Sequence, residues 1–240
     1  MRLLEVRNLE KSFGTRKIVD KLSFNVRRGE IVGLLGPNGA GKTTTFYMVV
    51  GIISPDNGQI LFDNQDITSL PIDVRSKYGI GYLSQEPSVF SKLSVEENIM
   101  AILETLPISW RSRQQRLEDL LRELNIETLR KNKAYTLSGG EKRRLEITRA
   151  LVKNPSFMLL DEPFSGIDPI VVSEAQDIIK DLKSKGIGVL LTDHNVREML
   201  SITDRAYLVA EGRILISGNS WDLINNPSAR KVYLGEKFTI

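Results

Sequence analysis

A glycine-rich stretch near the N-terminus has the residue types and the spacing that bind phosphate: Gly36, Pro37, Asn38, Gly39, Ala40, Gly41, Lys42 and Thr43, followed by Thr44. It matches the phosphate-loop pattern G-x-x-x-x-G-K-[ST] at every fixed position. Its glycines let successive backbone N–H groups point at phosphate oxygens, and the N-terminus of a following helix adds partial positive charge. Lys42 can then bridge the outer phosphates of a nucleotide, and the Thr43 hydroxyl can bind Mg2+. A chance glycine-rich turn is the alternative.

Two adjacent carboxylates, Asp161 and Glu162, follow a continuous apolar run that ends at Leu160. Such a run predicts a buried parallel strand, and ligands bind at the carboxyl ends of these strands. Asp161 is therefore placed to hold Mg2+ through a water molecule, and Glu162 to polarise an attacking water. The alternative is an acidic pair that caps a helix, which Pro163 disfavours because it follows directly.

A second candidate anion cradle precedes a helix predicted over residues 142–152: Ser138, Gly139, Gly140 and Glu141. A serine hydroxyl and glycine N–H groups at a helix N-terminus can bind an anion. Helix capping by Ser138 is the simpler explanation, and it holds as far as it goes. It leaves unexplained the two successive glycines, which lower helix stability.

Two more polar side chains follow predicted buried strands. His194, the single histidine of the chain, follows a strand predicted over residues 187–192. An isolated histidine is more often structural, but its place at the same sheet edge as Glu162 favours function. Gln85 follows a strand predicted over residues 80–84, and this position alone indicates nothing.

The surrounding strand and helix patterns predict an α/β protein with a mixed, mostly parallel sheet. An apolar strand over residues 31–35 precedes the phosphate loop, and a helix over residues 44–50 follows it. Alternation with period two near the N-terminus predicts an antiparallel β part, and residues 207–216 read as a terminal hairpin. Short helices are expected over residues 219–235. One face of a further helix is marked by Val171, Ala175, Ile178, Ile179 and Leu182.

Composition changes between residues 87 and 135, where we predict a helical subdomain. Residues 95–106 have helical spacing, and an amphipathic face follows, made of Leu117, Leu120, Leu121 and Leu124. The charges around this face have both signs, which indicates a solvated surface rather than one for nucleic acid. We therefore predict one domain over residues 1–240, with an ATPase-like core at 1–86 and 136–240 and the helical subdomain inserted at 87–135.

The composition is that of an ordinary globular protein, with 41% hydrophobic and 26% charged residues among 240. The net charge of +3 gives no argument for nucleic-acid binding. The absence of cysteine excludes disulfides and cysteine-bound zinc. No apolar run approaches the roughly 18 residues that span a bilayer, and the N-terminus lacks the apolar core of a signal peptide. We expect a cytoplasmic protein without direct membrane insertion.

Taken together, these motifs resemble the nucleotide-binding subunit of ATP-binding cassette (ABC) transporters over essentially the whole chain. The stretch Leu137-Ser138-Gly139-Gly140-Glu141 is similar to the family signature. The resemblance implies hydrolysis of ATP with Mg2+, in which Lys42, Glu162 and His194 are catalytic. His194 matches the switch histidine that contacts the γ-phosphate.

The family resemblance also implies roles for residues that the motifs alone leave open. Gln85 matches the Q-loop glutamine, which senses Mg2+ and the membrane partner. Ser165, Gly166 and Asp168 match the D-loop. Phe13 matches the aromatic residue that stacks on adenine; family members usually carry tyrosine there, but both rings offer a π face.

ABC cassettes work as head-to-tail dimers with ATP between one chain's phosphate loop and the other chain's signature. The resemblance therefore implies a homodimer in which residues 138–141 act in trans, bound to two polytopic inner-membrane subunits on the cytoplasmic face of that membrane. The groove between helical subdomain and core is expected to receive their coupling helices, with Val89, Phe90 and Leu93 as its wall. The alternative is that these three residues belong to the subdomain's own core.

Several stretches resemble one group within the family, the ATPases of bacterial lipopolysaccharide export: residues 36–52, 79–83, 161–164, 192–198 and 232–236. The ATPases of branched-chain amino acid importers share many residues of these stretches and are the alternative. An alternative of another class is a soluble ABC ATPase that acts on ribosomes or DNA. A single cassette, no cysteine and no extended heptad insertion all disfavour it.

Overall fold

The computed structural model describes residues 3–86, 88–165, 168–235 and 238. The strands in chain order are β1 (Leu3–Phe13), β2 (Arg16–Arg27), β3 (Ile31–Leu35), β4 (Asn57–Phe62), β5 (Gln65–Asp66), β6 (Ile80–Leu83), β7 (Phe157–Asp161), β8 (Gly188–Thr192), β9 (Arg205–Ala210) and β10 (Arg213–Gly218). The helices are α1 (Lys42–Val50), α2 (Ile72–Tyr78), α3 (Val95–Leu103), α4 (Trp110–Glu123), α5 (Gly139–Leu151), α6 (Pro169–Ser184), α7 (Val196–Leu200), α8 (Ser220–Ile224) and α9 (Pro227–Ala229). A π-helix, Arg230–Leu234, follows α9.

The strands form two sheets. A four-stranded antiparallel sheet has the order β2-β1-β4-β5. A six-stranded sheet has the order β10-β9-β3-β8-β7-β6, in which β10 alone is antiparallel to its neighbour. The prediction of a mixed, mostly parallel sheet with an antiparallel N-terminal part is confirmed, as is the hairpin of β9 and β10.

The six-stranded sheet lies between two hydrophobic cores because its strands are buried on both faces. In β3, Ile31 and Leu35 pack in one core, while Val32 and Leu34 pack in the other. The first core holds apolar residues of α3, α4, α5 and α6, and the second holds those of α1 and the antiparallel sheet. Full burial on both faces explains why the parallel strands read as continuous apolar runs.

The helical part between β6 and β7 packs as its periodicity indicates. Leu117, Leu120, Leu121 and Leu124 are buried, as predicted for one face of an amphipathic helix. On α6 the predicted face is observed, with Ala175, Ile179 and Leu182 buried and Val171 and Ile178 half-buried; Val172 is buried as well and was not predicted. The division into core and helical subdomain stays a prediction. No helix in the described ranges is both long and apolar enough to cross a membrane.

The sequence did not predict α2, and its Arg75 is fully buried. Its guanidinium donates to the carbonyls of Met48 and Val49 at 2.6 and 2.8 Å, and also to those of Leu70 and Thr68. Met48 and Val49 lie in the last turn of α1, where carbonyls lack partners within the helix. Burial lowers the pKa of Arg75 to about 10. Arg75 therefore caps the C-terminus of the helix that the phosphate loop begins.

Candidate active site

Four neighbouring parallel strands bring the predicted site residues to one edge of the sheet. In spatial order these are β3, β8, β7 and β6. The phosphate loop follows β3, His194 follows β8, Asp161 ends β7 just before Glu162, and Gln85 follows β6. Because carboxyl ends of parallel strands share an edge, residues far apart in sequence meet there.

Two glycines of the phosphate loop lie where any side chain would clash with a neighbouring backbone carbonyl. Gly36 has φ +147°, and a Cβ there would lie 2.1 Å from the carbonyl oxygen of Val209. Gly41 has φ +98°, and its Cβ would lie 2.6 Å from the carbonyl oxygen of Ile18. Gly41 is also the N-cap of α1, and among the described residues no side chain caps this helix. The first N–H groups of α1 are thus left for an anion.

The ammonium of Lys42 folds back on the phosphate loop. It donates to the carbonyls of Gly36 at 2.7 Å and Pro37 at 3.0 Å, and the residue is buried. Burial lowers the pKa of Lys42, and the negative charge of Glu162 opposes that shift. These contacts place a cation at the mouth of the loop.

Glu162 lies between the side chains of His194 and Gln85. Nε2 of His194 is 2.6 Å from its Oε1, and the Gln85 amide donates to its Oε2 at 2.8 Å. The residue has φ +48°, a left-handed conformation that is uncommon outside glycine. Backbone strain of this kind clusters at functional sites. The sequence placed Glu162 and His194 at this edge, and the structure brings both into contact and adds Gln85, whose position alone indicated nothing.

Asp161, the last residue of β7, is buried at the same edge. Burial and the neighbouring Glu162 raise its pKa to about 6, although Arg143 opposes the shift. A buried carboxylate of this kind is stabilised by a nearby cation. The carboxylate of Asp161, the hydroxyl of Thr43 and the amide of Gln85 all offer oxygen atoms. Mg2+ prefers oxygen ligands, so this set of side chains suits it.

A cleft of about 390 Å³ opens over the phosphate loop. Its walls are formed by Arg16, Ile18, Asn38, Gly39, Gly41, Lys42, Thr43, Thr44, Glu162 and His194. Arg16 and Ile18 were not predicted, since an arginine and an isoleucine on a β-strand carry no motif. Phe13 ends the strand that pairs with this part of β2, is 54% exposed and is absent from the described lining. Its stacking role stays a prediction.

The signature residues form a capping box at the start of α5. The Ser138 hydroxyl accepts from the Glu141 N–H at 3.3 Å, and the Glu141 carboxylate accepts from the Ser138 N–H at 2.8 Å. The helix-capping interpretation is therefore observed, and it accounts for the two polar side chains. A Cβ on Gly139 would meet no described atom within 4 Å, so this side of the helix N-terminus is open. No residue from 138 to 141 is among the described residues that line the cleft.

The remaining predicted residues are less completely placed. Ser165 and Asp168 are exposed on either side of two residues, Gly166 and Ile167, that lie outside the described ranges. Phe90 is 46% exposed, and the Arg149 guanidinium lies 4.5 Å from its ring centroid. Val89 packs partly buried against the core and Leu93 is half-buried.

Two residues near the site were missed because they act on backbone groups. The buried Asp193 carboxylate accepts from the N–H groups of Phe164 and Asn195 at 2.7 and 2.8 Å. Burial raises the pKa of the Tyr233 hydroxyl, and the backbone N–H of Gly36 opposes that shift. Contacts with backbone groups leave no motif in the sequence from which they could be predicted.

The fold and this site define an ATP-binding cassette. Residues 19–165 match the family model described as ABC transporter. The chain belongs to the ABC transporter family, which confirms the resemblance seen in the sequence.

Its relatives and structural neighbours are more specific. The chain is 54% identical to the lipopolysaccharide export system ATP-binding protein LptB of Acidithiobacillus ferridurans, over 99% of both chains. It is 50% identical to the protein of the same name from Escherichia coli strain K12, over the full length of both. Among solved structures, the ADP conformation of an ABC transporter cassette superposes with a TM-score of 0.88 at 30% identity, covering 98% of this chain and all of the other.

Proposed function

We propose that this chain is the ATP-hydrolysing subunit of a transporter that extracts lipopolysaccharide from the inner membrane for transport to the outer membrane. One observation carries the hydrolytic part: the Glu162 carboxylate, at the wall of the phosphate-loop cleft, contacts His194 at 2.6 Å and Gln85 at 2.8 Å. A carboxylate in this place orients and polarises the water that attacks the γ-phosphate.

Each remaining group has a task at the phosphates. N–H groups of the phosphate loop and of α1 bind their oxygens, and Lys42 neutralises the charge on the outer ones. The Lys42 ammonium must leave its two carbonyl acceptors to do so. His194 contacts the γ-phosphate, and its contact with Glu162 keeps both groups on one side of the cleft.

Mg2+ would be held by the Thr43 hydroxyl, the Gln85 amide oxygen and, through water, Asp161. Within the described ranges no group of three or more acidic or histidine side chains gathers to hold a metal by itself. Mg2+ usually keeps water or substrate phosphate oxygens among its ligands, so few protein ligands suffice. When bound, the ion would neutralise negative charge on the phosphates.

A second copy of the chain completes the site. Residues 138–141 do not line the cleft of their own chain, and the Gly139 side of the helix N-terminus is open. An isologous dimer gives two equivalent sites, each with one chain's loop and the other chain's signature. Ser165 and Asp168 lie at this interface.

Lipopolysaccharide is the proposed cargo because full-length relatives at 50–54% identity bear that name. The proposed partners are two polytopic inner-membrane subunits, and the proposed place is the cytoplasmic face of that membrane; membership of the ABC transporter family supports both. The groove near Val89, Phe90 and Leu93 receives those subunits.

The test uses the complex that this chain forms with the membrane proteins that co-purify with it. The complex is placed in liposomes that contain lipopolysaccharide, and ATP-dependent release of lipopolysaccharide is measured. Release with the wild-type chain and none with Glu162→Gln is expected. A complex that instead takes up branched-chain amino acids, or an intact complex that hydrolyses ATP without moving lipopolysaccharide, would overturn the cargo assignment.

A further inference from the structure

Side chains of α5 hold the backbone on both sides of Gln85. The backbone in question is that of residues 84–86 and 88–90. Three residues of α5, spaced three apart, contact it: Arg143, Glu146 and Arg149. That spacing places them on one face of the helix.

Glu146 is the centre of these contacts. It is 5% exposed, its Oε1 accepts from the N–H of Ser88 at 2.9 Å, and its Oε2 accepts from Arg143 at 3.0 Å. The same Arg143 nitrogen lies 3.4 Å from the carbonyl of Ser84. One carboxylate therefore links α5 to the backbone on both sides of Gln85, directly at Ser88 and through Arg143 at Ser84.

These contacts are strong enough to fix a loop. Burying a carboxylate is unfavourable unless it is paired and hydrogen-bonded, and here each oxygen has a partner. Both bonds involve an ionised group, which makes them about twice as strong as neutral ones. Arg149 adds a bond to the carbonyl of Ser88 and lies over the ring of Phe90.

We propose that Glu146 is a positioning residue that holds the Gln85 amide against Glu162. This inference rests on the proposed function, in which Glu162 orients the attacking water. The contact between Gln85 and Glu162 joins loops 77 residues apart, so its geometry depends on how Ser84 and Ser88 are held. The hydrogen bonds of Glu146 go to Ser88 and Arg143 rather than to Gln85 or Glu162, so we infer that Glu146 acts through the backbone.

The same helix connects two half-sites. Ser138 caps α5 at its N-terminus, and Glu146 lies two turns further along the 13-residue helix. The contacts at residues 84 and 88 therefore belong to the helix whose N-terminus carries the signature.

The experiment is a double-mutant cycle on ATP turnover with Glu146→Gln, Gln85→Ala and both together. Glutamine keeps the size of Glu146, but its NH2 group faces either the Ser88 N–H or Arg143. We expect kcat to fall at least about 10-fold with KM for ATP within about twofold, since small misplacements reduce rate rather than binding. On the Gln85→Ala background, Glu146→Gln should change kcat by less than about twofold.

Controls separate positioning from general stability. Glu118→Gln makes the same substitution in a more exposed pair with Arg130, at 2.7 Å in the helical part, and should leave kcat unchanged. Amide hydrogen exchange should increase at Ser88 in Glu146→Gln while the other amides of α5 stay protected. If Glu146→Gln does not fold, Glu146→Asp keeps the charge but shortens the reach to Ser88 and enters the same cycle.

The outcomes distinguish this inference from the proposed function. Additive effects of Glu146→Gln and Gln85→Ala, or unchanged turnover in Glu146→Gln, would overturn the positioning role alone. Near-normal turnover in Glu162→Gln would instead overturn the proposed function on which it rests.

Discussion

The Asp193 carboxylate accepts a hydrogen bond at 2.7 Å from the backbone N–H of Phe164, which joins the loop after β8 to the loop that carries Glu162. Its other oxygen accepts from the N–H of Asn195 at 2.8 Å, so His194 lies between two fixed backbone positions. Asp193 is 1% exposed. Burial raises its pKa, and the two N–H groups oppose that shift. The relative placement of His194 and Glu162 therefore depends on a residue that contacts neither side chain.

Asp193→Asn should slow ATP hydrolysis while ATP binding is retained. Asparagine has one carbonyl oxygen, so one of the two N–H groups loses its acceptor, at a cost of about 1–3 kcal/mol. The measurement is kcat alongside the affinity for a fluorescent ATP analogue. Asp177→Asn, which alters an exposed pair with Lys180 on α6, is the matched control. Equal turnover in Asp193→Asn and Asp177→Asn would contradict the prediction.

Glu162→Gln should bind ATP and lower kcat by about 10²–10⁴-fold. The amide keeps the size of the carboxylate but cannot take a proton or polarise the attacking water. ATP should then hold two copies together, which size-exclusion chromatography with and without ATP measures. A variant that hydrolyses ATP at a near-normal rate would exclude the proposed role of Glu162.

Gly36→Ala and Gly39→Ala should differ greatly in stability. A methyl group at Gly36 would lie 2.1 Å from the Val209 carbonyl oxygen, whereas at Gly39 it meets no described atom within 4 Å. We expect Gly39→Ala to lower the free energy of unfolding by about 1 kcal/mol, from its φ of +77° alone. Gly36→Ala should lower it by at least about 3 kcal/mol. Urea unfolding of both variants checks this, and similar losses would argue against the packing described here.

Phe90→Ala should prevent binding of the membrane subunits and leave nucleotide binding intact. Its ring is 46% exposed next to the Arg149 guanidinium, which suits a contact surface more than a core. Co-purification of the membrane proteins with the variant chain is the measurement. Leu117→Ala, at a fully enclosed site on α4, should lower stability rather than partner binding. A normal complex with Phe90→Ala would show that the surface lies elsewhere.

The capping box at α3 makes stability depend on pH. The Ser94 N–H and Lys133 lower the pKa of Glu97 to about 2, from 4.5. A depressed pKa contributes stability above the unfolded value and loses it as pH falls from about 4.5 to about 2. Glu97→Gln should therefore have a lower urea midpoint than wild type at pH 7, and the gap should narrow near pH 3.5. An equal gap at both pH values would contradict the assignment.

The sequence predicted the parallel strands well because strands buried on both faces leave apolar runs with polar residues at their ends. Those ends also predicted which residues meet at the sheet edge. Helix α2 was missed since its one buried residue, Arg75, is charged, so no apolar periodicity marks it. Val172 was missed because either of two neighbouring valines can complete the helical face that holds Ala175, Ile179 and Leu182.

The other contacts of the site could not be predicted from the sequence for a different reason. Gln85 gains meaning only through Glu162, 77 residues away, and no local pattern records such a contact. Asp193 and Glu146 bind backbone N–H groups, which every residue type except proline offers. Contacts of this kind become visible only when the fold places the two segments together.

The spatial order β3-β8-β7-β6 differs from the order in which the strands leave the ribosome. The phosphate loop and Gln85 are synthesised early, yet two strands made much later, β7 and β8, separate β3 from β6 in the finished sheet. A nascent chain that ends before Phe157 has both nucleotide motifs but lacks the strands that carry Asp161, Glu162 and His194. The hydrolytic site therefore cannot be complete until both β7 and β8 have been synthesised and lie between β3 and β6.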